Sequence, residues 1–168
     1  MRTKAIFRAL LIVGLAASAY PKPIEPTYRA PVGPARPFKG RIVGQFESTP
    51  TSSAGIFDSI AHASGIGTQV GPFSKVTSDT LNTVTGQVTG NFTMTTASGD
   101  EVKGHYSGYV VPGASTFYWV LNATITGGSG RFGAATGEFV FYAEGDYYIE
   151  NGNIYGQYTE SFEGTIAY

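Results

Sequence analysis

The stretch ITGGSGRFGAATGEF, residues 125–139, holds five glycines. Within it Gly128, Gly130 and Gly133 spell G-x-G-x-x-G, the pattern of a dinucleotide-binding loop. Such a loop is followed by a helix whose N-terminus receives the pyrophosphate. It also has an acid about 20 residues further on, at the end of the next parallel strand. Here the glycines lead into GEFVFYA, Gly137 to Ala143, which is β-branched, aromatic and of period two. That pattern is a strand. Glu150 has nearly the required spacing, but it adjoins Asn151-Gly152, a strong hairpin signal. The glycines therefore predict a tight reversal between two strands, with positive φ permitted at Gly127, Gly128 and Gly130. Phe132 is expected to tuck under the loop, and Arg131 to reach a carbonyl or carboxylate across the end of the fold.

Working outward, period two continues on both sides. Val88, Phe92 and Met94 share one face of Gly86 to Thr96, with Gln87, Thr89, Asn91 and Thr93 on the other. Glu101 to Val111, Thr116 to Ile125, Glu138 to Glu144 and Asn153 to Tyr168 alternate in the same way. This is the mark of strands with one dry and one wet face. Gly40 to Glu47, Phe57 to Gln69 and Phe73 to Asn82 alternate less cleanly and are read as the earlier strands. Short turn-forming links, such as Ala97 to Asp100 and Val111 to Ala114, separate them. The fold class is all-β: a single antiparallel, eight-stranded, calycin-like barrel, with a sandwich as the other arrangement such strands build. Gly90, Gly104, Gly108, Gly156 and Gly164 fall on the apolar face. There they let strands coil or let a neighbouring ring lie over them, which suits a small barrel.

The chain of 168 residues divides into three. Residues 1–19 read as a signal peptide: Arg2, Lys4 and Arg8, a short apolar run, then Ala17-Ser18-Ala19. The apolar run is far short of the ~20 residues that cross a bilayer. Residues 20–38 hold six of the nine prolines and read as an extended spacer, or as a ligand for a proline-binding module. Residues 39–168 form the domain, and the expected location is secreted or periplasmic. No cysteine is present, so disulfides, thiolate metal sites and cysteine nucleophiles are excluded. From Lys39 onward five bases face eleven acids, which argues against nucleic acid as a partner.

The same glycine segment resembles the allene oxide cyclase and dirigent group of eight-stranded barrels. In that group a strand ends in T-G-G-(S/T)-G-x-F/Y and continues through (A/G)-x-G into the next. Thr126, Gly127, Gly128, Ser129, Gly130, Phe132, Ala134 or Ala135, and Gly137 carry the match. Gly65-Ile66-Gly67-Thr68 with Gly71-Pro72-Phe73 is similar to a stretch of bacterial spirotetronate-forming cyclases. The resemblance covers residues 39–168. It implies a barrel whose cavity wall binds or steers a small apolar molecule, without cofactor or metal. It departs from the family where the first-strand carboxylate is expected: Glu47 lies on the face opposite Phe46, and no cysteine exists to match the plant cyclase cavity.

Few residues are candidates for chemistry. Glu160 shares the inward face of Tyr158 and Phe162, where an unpaired carboxylate costs several kcal/mol. It is a candidate acid–base catalyst with a raised pKa, or else it sits at the barrel end or beside a bulge. Phe92, Met94, Tyr106, Trp119, Phe139, Phe141 and Tyr158 either line a ligand cavity or fill it. His62 and His105 lack converging acids, and Glu144, Asp146 and Glu150 lack Ca²⁺-loop spacing, so no metal is expected. Asn91 and Asn122 begin glycosylation sequons. The functional expectation is an exported barrel binding a small apolar ligand. The alternatives are a cofactor-free cyclase or isomerase and a filled structural barrel of the envelope. Tyr109, Tyr118 and Val120 point outward and would serve assembly into homo-oligomers.

Overall fold

A computed structural model describes residues 33–168. Residues 1–32, on which the signal-peptide reading and most of the proline-rich segment fall, lie outside the described residues. The chain forms eight strands: β1 (Arg36–Pro50), β2 (Ile56–Gly67), β3 (Gly71–Asn82), β4 (Gln87–Thr96), β5 (Glu101–Pro112), β6 (Thr116–Gly128), β7 (Thr136–Glu150) and β8 (Asn153–Ala167). Each pairs antiparallel with the next, and β8 pairs with β1 to close a barrel. The eight alternating runs of the sequence are these eight strands. Several are longer than the alternation showed, β1 and β7 most of all. β7 extends to Glu150. β1 opens at Arg36, so Phe38, fully buried, belongs to the barrel rather than to the spacer.

Glycine makes the tight curvature feasible. A Cβ on Gly104 would lie 2.7 Å from the ring of Phe92, and one on Gly156 would lie 2.4 Å from Phe46. Each ring uses the flat patch that a missing side chain leaves on the lumen wall. A register shift between Lys103 and Gly104 bends β5 at the same place.

The two ends of the barrel differ. One is sealed by the glycine segment. Residues Gly130–Phe132 form a single 3₁₀ turn, after which β7 runs back antiparallel to β6. Phe132 is completely buried and packs edge-on against Tyr168, with ring centroids 4.7 Å apart. Arg131 donates to the carbonyl of Gln69 at 2.9 Å and approaches Asp100 at 3.5 Å. Gly127 (φ 144°) and Gly130 (φ 56°) need positive φ, as expected. Gly128 does not; it is glycine because a Cβ there would sit 1.7 Å from the carbonyl oxygen of Glu101. Beneath this seal Phe38, Phe92, Phe139 and Phe162 pack ring to ring, mostly edge to face, with Met94 among the fully buried side chains. Among the described residues no helix is long and apolar enough to cross a membrane.

Gly128→Ala is expected to cost about 2–3 kcal/mol, because backbone must move to admit the methyl group. Gly99→Ala, at φ 86° but in open space, is expected to cost about 1 kcal/mol. Chemical denaturation of both variants checks this; equal losses would refute the close-approach account.

Candidate functional site

Above the phenylalanine layer the lumen opens into a cavity of about 320 Å³. It faces the end of the barrel opposite the glycine seal, where the links 51–55, 83–86, 113–115 and 151–152 lie. Its wall is mainly apolar, with Phe46, Leu81, Val88, Phe117, Trp119 and Leu121 contributing large faces. Trp119 stacks on Phe117 with centroids 4.9 Å apart and planes 21° from parallel.

The polar groups of the wall come chiefly from β3. Its pleat turns Phe73, Lys75, Thr77 and Asp79 inward, whereas Ser74, Val76, Ser78 and Thr80 face out. Lys75 reaches across the lumen to β8 and donates from Nζ to Glu160 Oε1 at 2.6 Å and Oε2 at 2.8 Å. Both side chains are almost wholly withdrawn from water, at 3% and 1% exposure. The ammonium lies 4.0 Å from the centroid of the Phe141 ring, in cation–π range. Nearer the open end Tyr106 donates its hydroxyl to Asp79 at 2.6 Å. Ser48 and Ser59 hydrogen-bond each other at 2.7 Å. Trp119 Nε1 is buried and has no hydrogen-bond partner among the described residues.

Burial dominates the proton affinities here. Desolvation lowers Lys75, and the attraction of Glu160 opposes it. Desolvation raises Glu160, and Lys75 opposes it. Asp79 is raised by desolvation against the hydrogen bond from Tyr106. Tyr106 and Tyr158 are pushed far up by burial, with Asp79 adding to the first and Glu160 to the second. Both phenols therefore remain protonated donors.

Of the residues singled out in the sequence, Tyr106, Trp119, Phe141 and Tyr158 line the cavity together with Glu160. Phe92, Met94 and Phe139 do not; they lie buried outside it, in the packed core. Glu160 keeps the inward parity of β8 with no register break beside it. Glu47, His62 and His105 are exposed on the outer face. Among the described residues no three His, Cys, Asp or Glu side chains converge on a point. Sequence reasoning missed Lys75 and Asp79. The signal was there: Phe73 and Leu81 set an inward parity that residues 75, 77 and 79 share. Val76 on the opposite face obscured it. Comparison with protein-family models, with curated proteins and with solved structures returns no match to this chain.

Removing one partner of the buried pair is expected to cost about 3–5 kcal/mol near neutral pH. The pH dependence distinguishes the two halves. In Glu160→Gln the fold excludes a proton that unfolded Lys75 keeps until about pH 10, so stability rises as pH rises toward that value. In Lys75→Met the fold holds a proton that unfolded Glu160 releases above about pH 4.3, so stability falls as pH rises beyond it. Denaturation midpoints across this range check the opposite slopes; parallel profiles would show that the fold does not withdraw these two groups from water.

Proposed function

We propose that this chain is an exported barrel protein that binds one small, largely apolar molecule in the open part of its lumen. The observation that carries the reading is the 320 Å³ cavity, apolar and opening toward one end, with a few converging polar groups. Pockets of about 300–1,000 Å³ with this make-up are the usual form of a small-molecule site. An eight-stranded lumen is just wide enough to be filled by side chains. The sealed half of this barrel is filled in that way, so the unfilled half is a departure from what stability favours, since a void forfeits dispersion contacts on its walls. Export rests on the leader read in residues 1–19.

One observation favours a second reading, a cofactor-free cyclase or isomerase of the allene oxide cyclase type. Lys75–Glu160 and Asp79–Tyr106 supply proton donors and acceptors to a cavity that otherwise offers shape. The resemblance of residues 125–137 to that barrel group supports the same reading. In such an enzyme the wall holds a flexible substrate near its reactive conformation, and binding accounts for much of the rate.

Trp119 is the only tryptophan and lies in the cavity wall, so its fluorescence reports occupancy. Native mass spectrometry of the mature chain, followed by titration with apolar compounds, is expected to show one ligand per barrel and a Trp119 signal that saturates. Val110→Phe places a ring in the cavity and is expected to weaken binding at least about tenfold, or about 1.4 kcal/mol, with little change in the melting temperature. A chain that binds nothing from such a panel would refute the proposal.

A further inference from the structure

Lysine is among the residues least often found fully buried. Among the described residues Lys39 and Lys103 obey this rule on the outer face; Lys75 does not. Its pairing with Glu160 explains how the charge is tolerated, but not why it is there. A buried ion pair is commonly no more stable than apolar side chains of the same volume, and often less. The neighbouring layer of this lumen shows the apolar solution in the rings of Phe92, Phe139 and Phe162. The pair also sits at the boundary between the filled core and the cavity, and both residues form part of the cavity wall. Nζ is thus held against a carboxylate on one side and an aromatic face on the other, in reach of whatever occupies the cavity.

We propose that Lys75 is a nucleophile that holds an apolar aldehyde or ketone as a Schiff base, with Glu160 shuttling the protons. The inference rests on the reading of the cavity as a binding site, and it specifies the class of ligand. An amine desolvated in an apolar pocket is the form in which lysine attacks carbonyls. Glu160 takes a proton from the ammonium and frees the Nζ lone pair. Nζ bonds to the carbonyl carbon, the C=O π pair moves to oxygen, and Glu160 returns the proton there. Glu160 next removes a proton from the now cationic nitrogen and delivers it to the hydroxyl. Water leaves as the nitrogen lone pair closes the C=N bond. The products are one water and a protonated imine, which replaces the ammonium as the cation facing the Glu160 carboxylate. No oxidant, reductant or metal is consumed. The aromatic wall of Phe117, Trp119 and Tyr158 suits a flat, conjugated carbonyl compound, and Trp119 Nε1, without a partner among the described residues, offers a hydrogen bond to a polar substituent on it.

The test uses the mature full chain and 6-methoxy-2-naphthaldehyde, with the corresponding naphthylmethanol as a ligand that cannot form an imine. Sodium borohydride reduces any imine to a stable secondary amine. Intact mass is then expected to rise by the mass of the aldehyde less one oxygen, and peptide mapping to place the adduct on Lys75 rather than Lys39 or Lys103. Glu160→Gln is expected to slow adduct formation at Lys75 by roughly a hundredfold, and Lys75→Arg to remove the preferential adduct, leaving only the slow labelling of the exposed lysines. Should either variant fail to fold, the native chain decides by itself: Lys75 must label faster than Lys39 and Lys103 when folded and lose that lead in denaturant. If the alcohol changes Trp119 fluorescence but Lys75 is not labelled preferentially, the Schiff-base inference is overturned and the binding reading stands. If neither compound enters, the Schiff-base inference for flat aromatic carbonyls is overturned, and the binding reading fails with it only where the apolar panel also finds no ligand.

Discussion

The pairing of β8 with β1 is the constraint on which the molecule depends. Without it the same chain is an open meander with two exposed edges and no interior. With it, the eight strands enclose a lumen whose width is set by strand number and tilt. Every inward side chain must then fit one fixed volume, and every inward charge must find a partner within it. The register of closure, Arg36 opposite Ile166 through Ser48 opposite Ile154, also fixes how far along the lumen each residue of β8 lies. It thereby sets the height at which Glu160 meets the lysine of β3.

The lumen solves its packing problem differently along its length. Toward the seal, rings pack edge to face and inward glycines provide the space they need. The glycine segment completes that half by turning the chain back tightly enough to bury Phe132 against Tyr168. Toward the open end rings still lie over glycines, Phe46 over Gly156 and Phe117 over Gly145, but there they wall a space that no side chain fills. Between them the Lys75–Glu160 ion pair stretches across the barrel. Its cost is tolerable because Glu160 presents both oxygens and Phe141 presents its face. Nothing in the packing of the strands requires it.

Much of this was legible in the sequence where a single strand carries the information. Period two identified the eight strands, because side-chain direction in a strand follows from the backbone alone. The strand after Gly137 was enough to set aside a nucleotide loop, and the parity of β8 was enough to turn Glu160 inward. Legibility failed where the outcome depends on two strands at once. Lys75 and Asp79 stand in a strand with few apolar residues, where parity is weakly marked. Phe92, Met94 and Phe139 carry the same inward signal as Tyr106 and Trp119, yet the first three fill the barrel and the other two line its cavity.

The chain by itself determined its all-β fold class, the inward and outward faces of its cleanly alternating strands and the tight reversal of the glycine segment, since these rest on local stereochemistry and short-range alternation. Tertiary structure alone decided which inward residues share a level of the lumen, that Lys75 meets Glu160 across it, and that one half is filled while the other is open. Those are matters of register and closure, and they arise from hydrogen bonding between strands far apart in sequence, which no single stretch of the chain encodes.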